Sequence, residues 1–205
     1  MTMKLLRDEE VTRWTTDQAQ SKVSFQVRHL MVSHVRGEFS QFDANVLTNG
    51  TNFTTADVTF KIESKSIHTG DERRDSDLRG REFLRADEHK QIIFRSTSVS
   101  HSASGHKMEL CGDLQVAGIV RSVNLDMQMG PVVINSWGEE TVCLTITSKI
   151  TREDWGLRWS AAMASAGFLI GDEVIFSCKL ELVSRRQHDA QLQQDPVPLM
   201  RVETF

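Results

Sequence analysis

The chain contains no tyrosine, which removes phenolic acid–base chemistry. It also lacks the motifs of common catalytic and nucleotide sites. There is no Gly-x-Ser-x-Gly nucleophile turn, no His-Glu-x-x-His metal helix and no glycine-rich phosphate cradle. Cysteine is scarce. Cys111, Cys143 and Cys178 form an odd set without zinc-ligand spacing, so reduced thiols are expected. No stretch approaches the roughly 18 apolar residues of a membrane-crossing helix. Residues Met1–Glu10 hold no apolar core of the ~7–15 residues that a secretory signal needs, so a cytoplasmic location is expected. Basic and acidic side chains nearly balance, 24 against 28 with a net charge of −4. That balance gives no electrostatic case for nucleic acid or an anionic membrane.

What the chain does have is alternation. Val23-Ser24-Phe25-Gln26-Val27-Arg28-His29, Val58-Thr59-Phe60-Lys61-Ile62 and, apart from Ile175, Val174-Ile175-Phe176-Ser177-Cys178-Lys179-Leu180 alternate between an inward set and a polar set. A period of two sends one set of side chains inward and the other to water. The pattern predicts eight strands, over 22–30, 34–47, 55–65, 91–100, 106–117, 122–129, 140–151 and 173–184. Most connections are short turns such as Thr48-Asn49-Gly50-Thr51-Asn52, which favours an antiparallel meander. Eight half-buried strands in 205 residues point to an all-β fold, a sheet closed into an eight-stranded antiparallel barrel. Such a barrel is either filled by its own side chains or holds one ligand.

Two connections are long, 66–90 and 152–172, and carry large apolar residues. Both read as lids over a barrel end. The first is expected to hold a short charged helix over 75–84, broken at Gly80. The division expected is an N-terminal segment 1–13, a barrel domain 14–184 and a flexible tail 185–205, which is polar and contains Gln191-Leu192-Gln193-Gln194-Asp195-Pro196-Val197-Pro198.

Five stretches carry a family likeness. The first is Trp14…Asp17…Ser21-x-Val23-x-Phe25-x-Val27-x-His29-Leu30 with Val35-Arg36-Gly37-x-Phe39-x-x-Phe42. The second is Ser66-Ile67-x-Thr69-Gly70-x-x-Arg73-Arg74-Asp75-x-x-Leu78-Arg79…Phe83. The third is Ile93-Phe94-x-Ser96. The fourth is Gly112-Asp113-Leu114-x-Val116-x-Gly118-Ile119-Val120-Arg121-x-Val123. The fifth is Arg152-x-Asp154-Trp155-Gly156-Leu157-x-Trp159 with Gly167-x-Leu169-Ile170-Gly171-Asp172-x-Val174. In order and spacing they resemble the bacterial YceI-like proteins, polyisoprenoid-binding lipocalin mimics. The resemblance implies a lipocalin-like barrel with an elongated apolar interior that binds a long-chain isoprenoid or similar amphiphile. It also allows a homodimer. Glu88-His89-Lys90-Gln91 stands where the family pattern has a proline-containing turn, so a different loop shape is expected there.

Phase makes Phe25, Val27, Phe39, Phe60, Phe94, Leu114, Val116 and Phe176 interior residues. They either pack a filled core or line a cavity, and the resemblance favours the cavity. Phe83 in the first long connection joins them as a ligand contact. His29 falls on the inward phase, as a hydrogen-bonded core residue or as a polar anchor for a head group. Metal binding there lacks further ligands. Arg73 and Arg74 lie in a charged cluster with Asp75 and Arg79. The cluster is either a solvated face, or one Arg meets a phosphate or carboxylate head at the mouth. Asp75 is a candidate cap for the following turn. Trp155, Trp159 and Phe168 plug the second barrel end, line the entrance, or do both. Trp14 is expected to close the opposite end, and Cys178 to pack as a small apolar residue.

The reading is a non-enzymatic protein that stores or transports a hydrophobic small molecule: a polyprenyl, quinone or fatty-acyl lipid. No cofactor or metal is required, and neither nucleic acid nor an integral membrane segment is expected. Two alternatives stay open. One is an enzyme acting on a lipid in the same pocket, and the other is a ligand-free barrel used as an interaction module.

Overall fold

The computed structural model describes residues 11–29, 33–102, 107–158 and 170–185. The strands are β1 (Val11–His29), β2 (Ser33–Phe39), β3 (Phe42–Asn49), β4 (Asn52–Glu63), β5 (Ile67–His68), β6 (Gln91–His101), β7 (Met108–Val116), β8 (Ile119–Met129), β9 (Val133–Ile134), β10 (Glu140–Thr151) and β11 (Ile170–Arg185). One helix, α1 (Glu72–Arg79), and two 3₁₀ turns, Ser64–Ser66 and Arg152–Trp155, complete the described elements. Strands β1, β3, β4, β6, β7, β8, β10 and β11 pair antiparallel in that order, and β11 returns to β1. The sheet is thus a closed eight-stranded barrel, which leaves no open edge among these eight.

The expected strand over 34–47 is two strands. Inward positions on β2 are odd, with Gly37 across from Phe25. On β3 they are even, with Phe42, Ala44, Val46 and Thr48 buried. Ser40 and Gln41 absorb this change of phase. They also let β3 pair with the first part of β1 while β2 pairs with its second part. β1 begins well before residue 22 and changes phase as well. Between Asp17 and Lys22 it spends five residues where β11 spends two, from Glu181 to Lys179. The irregularity carries the inward phase from Thr12 and Trp14 to Val23 and Val27.

The short helix is found one turn earlier than 75–84. Asp71, in an extended conformation, caps it by accepting from the Arg74 N–H at 3.1 Å, and Gly80 ends it. Asp75 therefore does not cap. It is fully buried and bonded backwards to Thr69, just after β5.

Apolar side chains gather at both barrel ends. Trp14 is fully buried at one end, its indole N–H donating to Thr48 Oγ1 at 2.8 Å and its ring 5.2 Å from that of Phe53. Ile67, Leu78, Leu84, Trp155 and Leu157 close the other end, drawn from β5, α1, the turn after α1, and the second 3₁₀ turn with the residues that follow it. Both long connections thus supply covers, and Trp14 closes the end opposite Trp155 as its position in the sequence implied.

Candidate ligand cavity

Between the two ends the barrel is not filled. The cavity offers about 190 Å³ for the centres of water-sized spheres, where one water needs roughly 10–15 Å³. It reaches from Val46, Phe53 and Leu180 near the Trp14 end to Val27, Val35, Arg74 and Ile170 near the α1 end. Every strand of the closed barrel contributes inward side chains to its wall, and nearly all of them are apolar.

Of the residues expected to meet a ligand, Phe25, Val27, Phe39, Phe60, Arg74, Phe83, Phe94, Leu114, Val116 and Phe176 line this cavity. Three others stand elsewhere. Arg73 is exposed on the outer side of α1. His29 is the last residue of β1, where the register against β11 slips between Val27 and His29, and it is not part of the wall. Its Nδ1 lies 3.3 Å from Ser33 Oγ. Trp155 is buried beneath the cover rather than in the wall, its indole N–H donating to the Leu114 carbonyl at 3.1 Å. Trp159 and Phe168 lie outside the described residues.

Two cations touch the wall. Arg152 is buried, and its donors are spent inside the protein. Nη1 donates to the Leu157 carbonyl at 2.6 Å, Nε to the Gly171 carbonyl at 3.3 Å, and Nη2 pairs with Asp172. It staples the start of β11 to the second 3₁₀ turn. Arg74 differs. Its Nε and Nη2 donate to Thr69 Oγ1 and the Thr69 carbonyl at 2.7 and 3.0 Å. Among the described residues no carboxylate forms an ion pair with it. Arg152 was absent from the expected contacts, although its phase revealed it. Val142, Leu144, Ile146 and Ile150 alternate inward along β10, and Arg152 is the next even position. Leu78 and Leu84 had no such signal, because they reach the wall from the cover.

Thr69 is the hub of that cover. Asp75 accepts from the Thr69 N–H at 2.9 Å, from its hydroxyl at 2.5 Å and from His68 Nδ1 at 3.1 Å. Burial alone pushes the Asp75 carboxyl up. The Thr69 donors and His68 outweigh it and hold the group below its ordinary value. Cys178 also lines the cavity, and burial pushes its thiol up to about 12. Among the described residues no group of three or more His, Cys, Asp or Glu is placed to hold a metal ion. No described helix is long and apolar enough to cross a membrane.

A closed eight-stranded antiparallel barrel around an apolar cavity defines a lipocalin-like class of protein. Within that class the chain belongs to the YceI-like domain family, which it matches over residues 14–182. It is similar to the UPF0312 protein SAS2572 of Staphylococcus aureus (strain MSSA476), 34% identical over 172 residues, 83% of this chain and 97% of the relative. Among solved structures it is similar in fold to BcnA of Burkholderia cenocepacia. That match has a TM-score of 0.69 at 21% identity and covers 81% of this chain and 98% of the other. A polyisoprenoid binding domain from Saccharophagus degradans, implicated in plant cell wall breakdown, matches with a TM-score of 0.68 at 11% identity, over 84% and 98% of the two chains.

Proposed function

We propose that this protein binds a long-chain isoprenoid or similar amphiphilic lipid in its barrel, for storage or transport and without catalysis. The carrying observation is the elongated cavity, walled almost wholly by apolar side chains and bordered by Arg74. Each CH₂ that leaves water for such a wall gains about 0.8 kcal/mol, less the cost of ordering the chain. A polyprenyl, quinone or fatty-acyl tail suits the wall. The likeness to a polyisoprenoid binding domain supports the same ligand class. Arg74 is the residue proposed to meet the head group. Thr69 braces its fork, and its charge has no carboxylate partner among the described residues.

Native mass spectrometry of the purified protein, with organic extraction, tests the reading. A stoichiometric prenyl or acyl species is expected. A mass without ligand, unchanged after quinones and polyprenyl phosphates are offered, would overturn it. Arg74→Ala is expected to weaken a polyprenyl phosphate by about tenfold or more, the scale of a lost charge-assisted hydrogen bond. A neutral prenyl alcohol should bind as before. Equal loss for both ligands in a titration would remove the head-group role.

A further inference from the structure

A polar depression lies on the outer face of the barrel, where β11, β1, β2 and β5 run side by side. Register builds it in two rows. Gln26 stands directly beside Arg36, and Ser177, Ser24, Glu38 and His68 form the next row. β2 pairs with β5 only at Glu38 and Phe39, so no described strand covers that edge at Gly37. Gly37 itself brings no side chain, and a Cβ there would lie 2.8 Å from Thr69 Cγ2.

The depression is rich in donors and has one aimed acceptor. Glu38 is the single carboxylate among the residues that line it, and Lys22 holds that group at 2.5 Å. The exposed guanidinium of Arg36 therefore has no anionic partner among the described residues. Asp75, behind His68, is fully buried and its carboxyl is held below its ordinary value, so it is ionised and only accepts. The 3.1 Å bond between the two then fixes a proton on His68 Nδ1. In the neutral ring Nε2 keeps its lone pair, on a side chain that is 60% exposed.

We propose that this depression binds hydrogen phosphate, with the Arg36 fork on two oxygens and His68 Nε2 accepting from the P–OH. The planar fork matches paired oxygens of an oxyanion. Hydrogen phosphate supplies those oxygens and a hydroxyl as well. Sulfate has the same shape and charge but no proton, so its lone pairs would face that of Nε2. The inference does not depend on the lipid reading, because neither Arg36 nor His68 belongs to the cavity wall.

Inorganic phosphate titrated into the full chain at pH 8 tests it, read by nuclear magnetic resonance on the His68 ring protons and the Gly37 amide. Both signals are expected to move along one binding curve. Sulfate, and phenyl phosphate, whose ester is fully ionised at that pH, should each bind about tenfold more weakly. Arg36→Gln changes an exposed side chain and should weaken phosphate about tenfold or more. His68→Gln offers an amide that donates or accepts, and should bring phosphate and sulfate within about twofold of each other. Equal binding of phosphate and sulfate by the parent, or a phosphate curve untouched by Arg36→Gln, would overturn the proposal. So would phenyl phosphate binding as tightly as phosphate, which would assign the depression to a phosphate monoester. A response lost in Arg74→Ala and kept in Arg36→Gln would place the anion at the cavity mouth and overturn it too.

Discussion

Gly37 stands directly across from Phe25, and a Cβ there would lie 2.4 Å from the tip of the ring. A Cβ on Gly112 would meet the Phe94 ring at 2.5 Å and the Arg95 carbonyl at 2.3 Å. The tips of both rings reach over a strand position that has no side chain to push them away. That is how large aromatics can face inward and still leave a cavity. Gly37→Val is therefore expected to tip Phe25 into the lumen. The cost should be about 1–3 kcal/mol of stability, read by urea unfolding, together with a smaller bound lipid capacity. Unchanged stability and capacity would show that the ring is not held by this contact. Two of the thiols should separate by place. Cys143 is exposed and Cys178 buried in the wall, so an aromatic disulfide reagent should titrate Cys143 readily and Cys178 only on unfolding. Since the folded Cys178 thiol sits at about 12 against an ordinary 9.0, the unfolded chain loses this proton first as pH rises. Its contribution to stability is complete below pH 9 and drains away between there and about 12. Cys178→Ala should flatten that part of an alkaline unfolding profile.

α1 is held to the barrel by polar bonds more than by its apolar face, whose one buried hydrophobic residue is Leu78. The bond that matters most is the backward one from Asp75 to Thr69. Its carboxyl is held below the ordinary 3.8, so this stabilisation is fully present above that pH and is lost as pH falls through the lower folded value. Asp75→Ala would strand the Thr69 N–H and loosen the residue that braces Arg74, at about 1–3 kcal/mol. It is expected to raise exchange in 67–80 while leaving the barrel strands protected. Global destabilisation of equal size in every strand would show that the cover does not open by itself. None of this was legible as such. The cluster of Arg73, Arg74, Asp75 and Arg79 reads equally as a solvated face, because linear spacing does not say that Asp75 turns back toward Thr69. The strands were easier, since a half-buried ribbon writes its burial into a period of two. The parts that broke the period were missed for a physical reason. The first half of β1, Thr15-Thr16-Asp17-Gln18-Ala19-Gln20, has few large apolar residues to alternate. The bend at Ser40 and Gln41 leaves its only trace as a slip of one residue between Phe39 and Phe42. In Glu88-His89-Lys90-Gln91, His89 packs against Gly118 of the β7–β8 turn.

Closure of the sheet fixes what the interior can do. Every inward position of the eight barrel strands faces the same lumen, so occupancy is set by total side-chain volume rather than by any one contact. With covers at both ends the wall is continuous, and on the proposed function an apolar chain inside it would be recognised by length and girth. One methylene discriminates by only about 1–3 kcal/mol, so several tails of similar length should compete. Space added and space removed should then act in opposite ways. Phe94→Ala widens the wall at its middle and removes a ring contact of about 1.5–3 kcal/mol. A prenyl lipid should still bind, more weakly, in a fluorescence displacement titration. Val116→Trp grows a side chain 5% exposed into the lumen beneath Leu84 and Ile92, which line the same end. It should block the chain while far-ultraviolet circular dichroism keeps its strand signature. If Val116→Trp binds prenyl lipid as well as the parent does, the tail does not run through this part of the barrel, and the cavity is not the site.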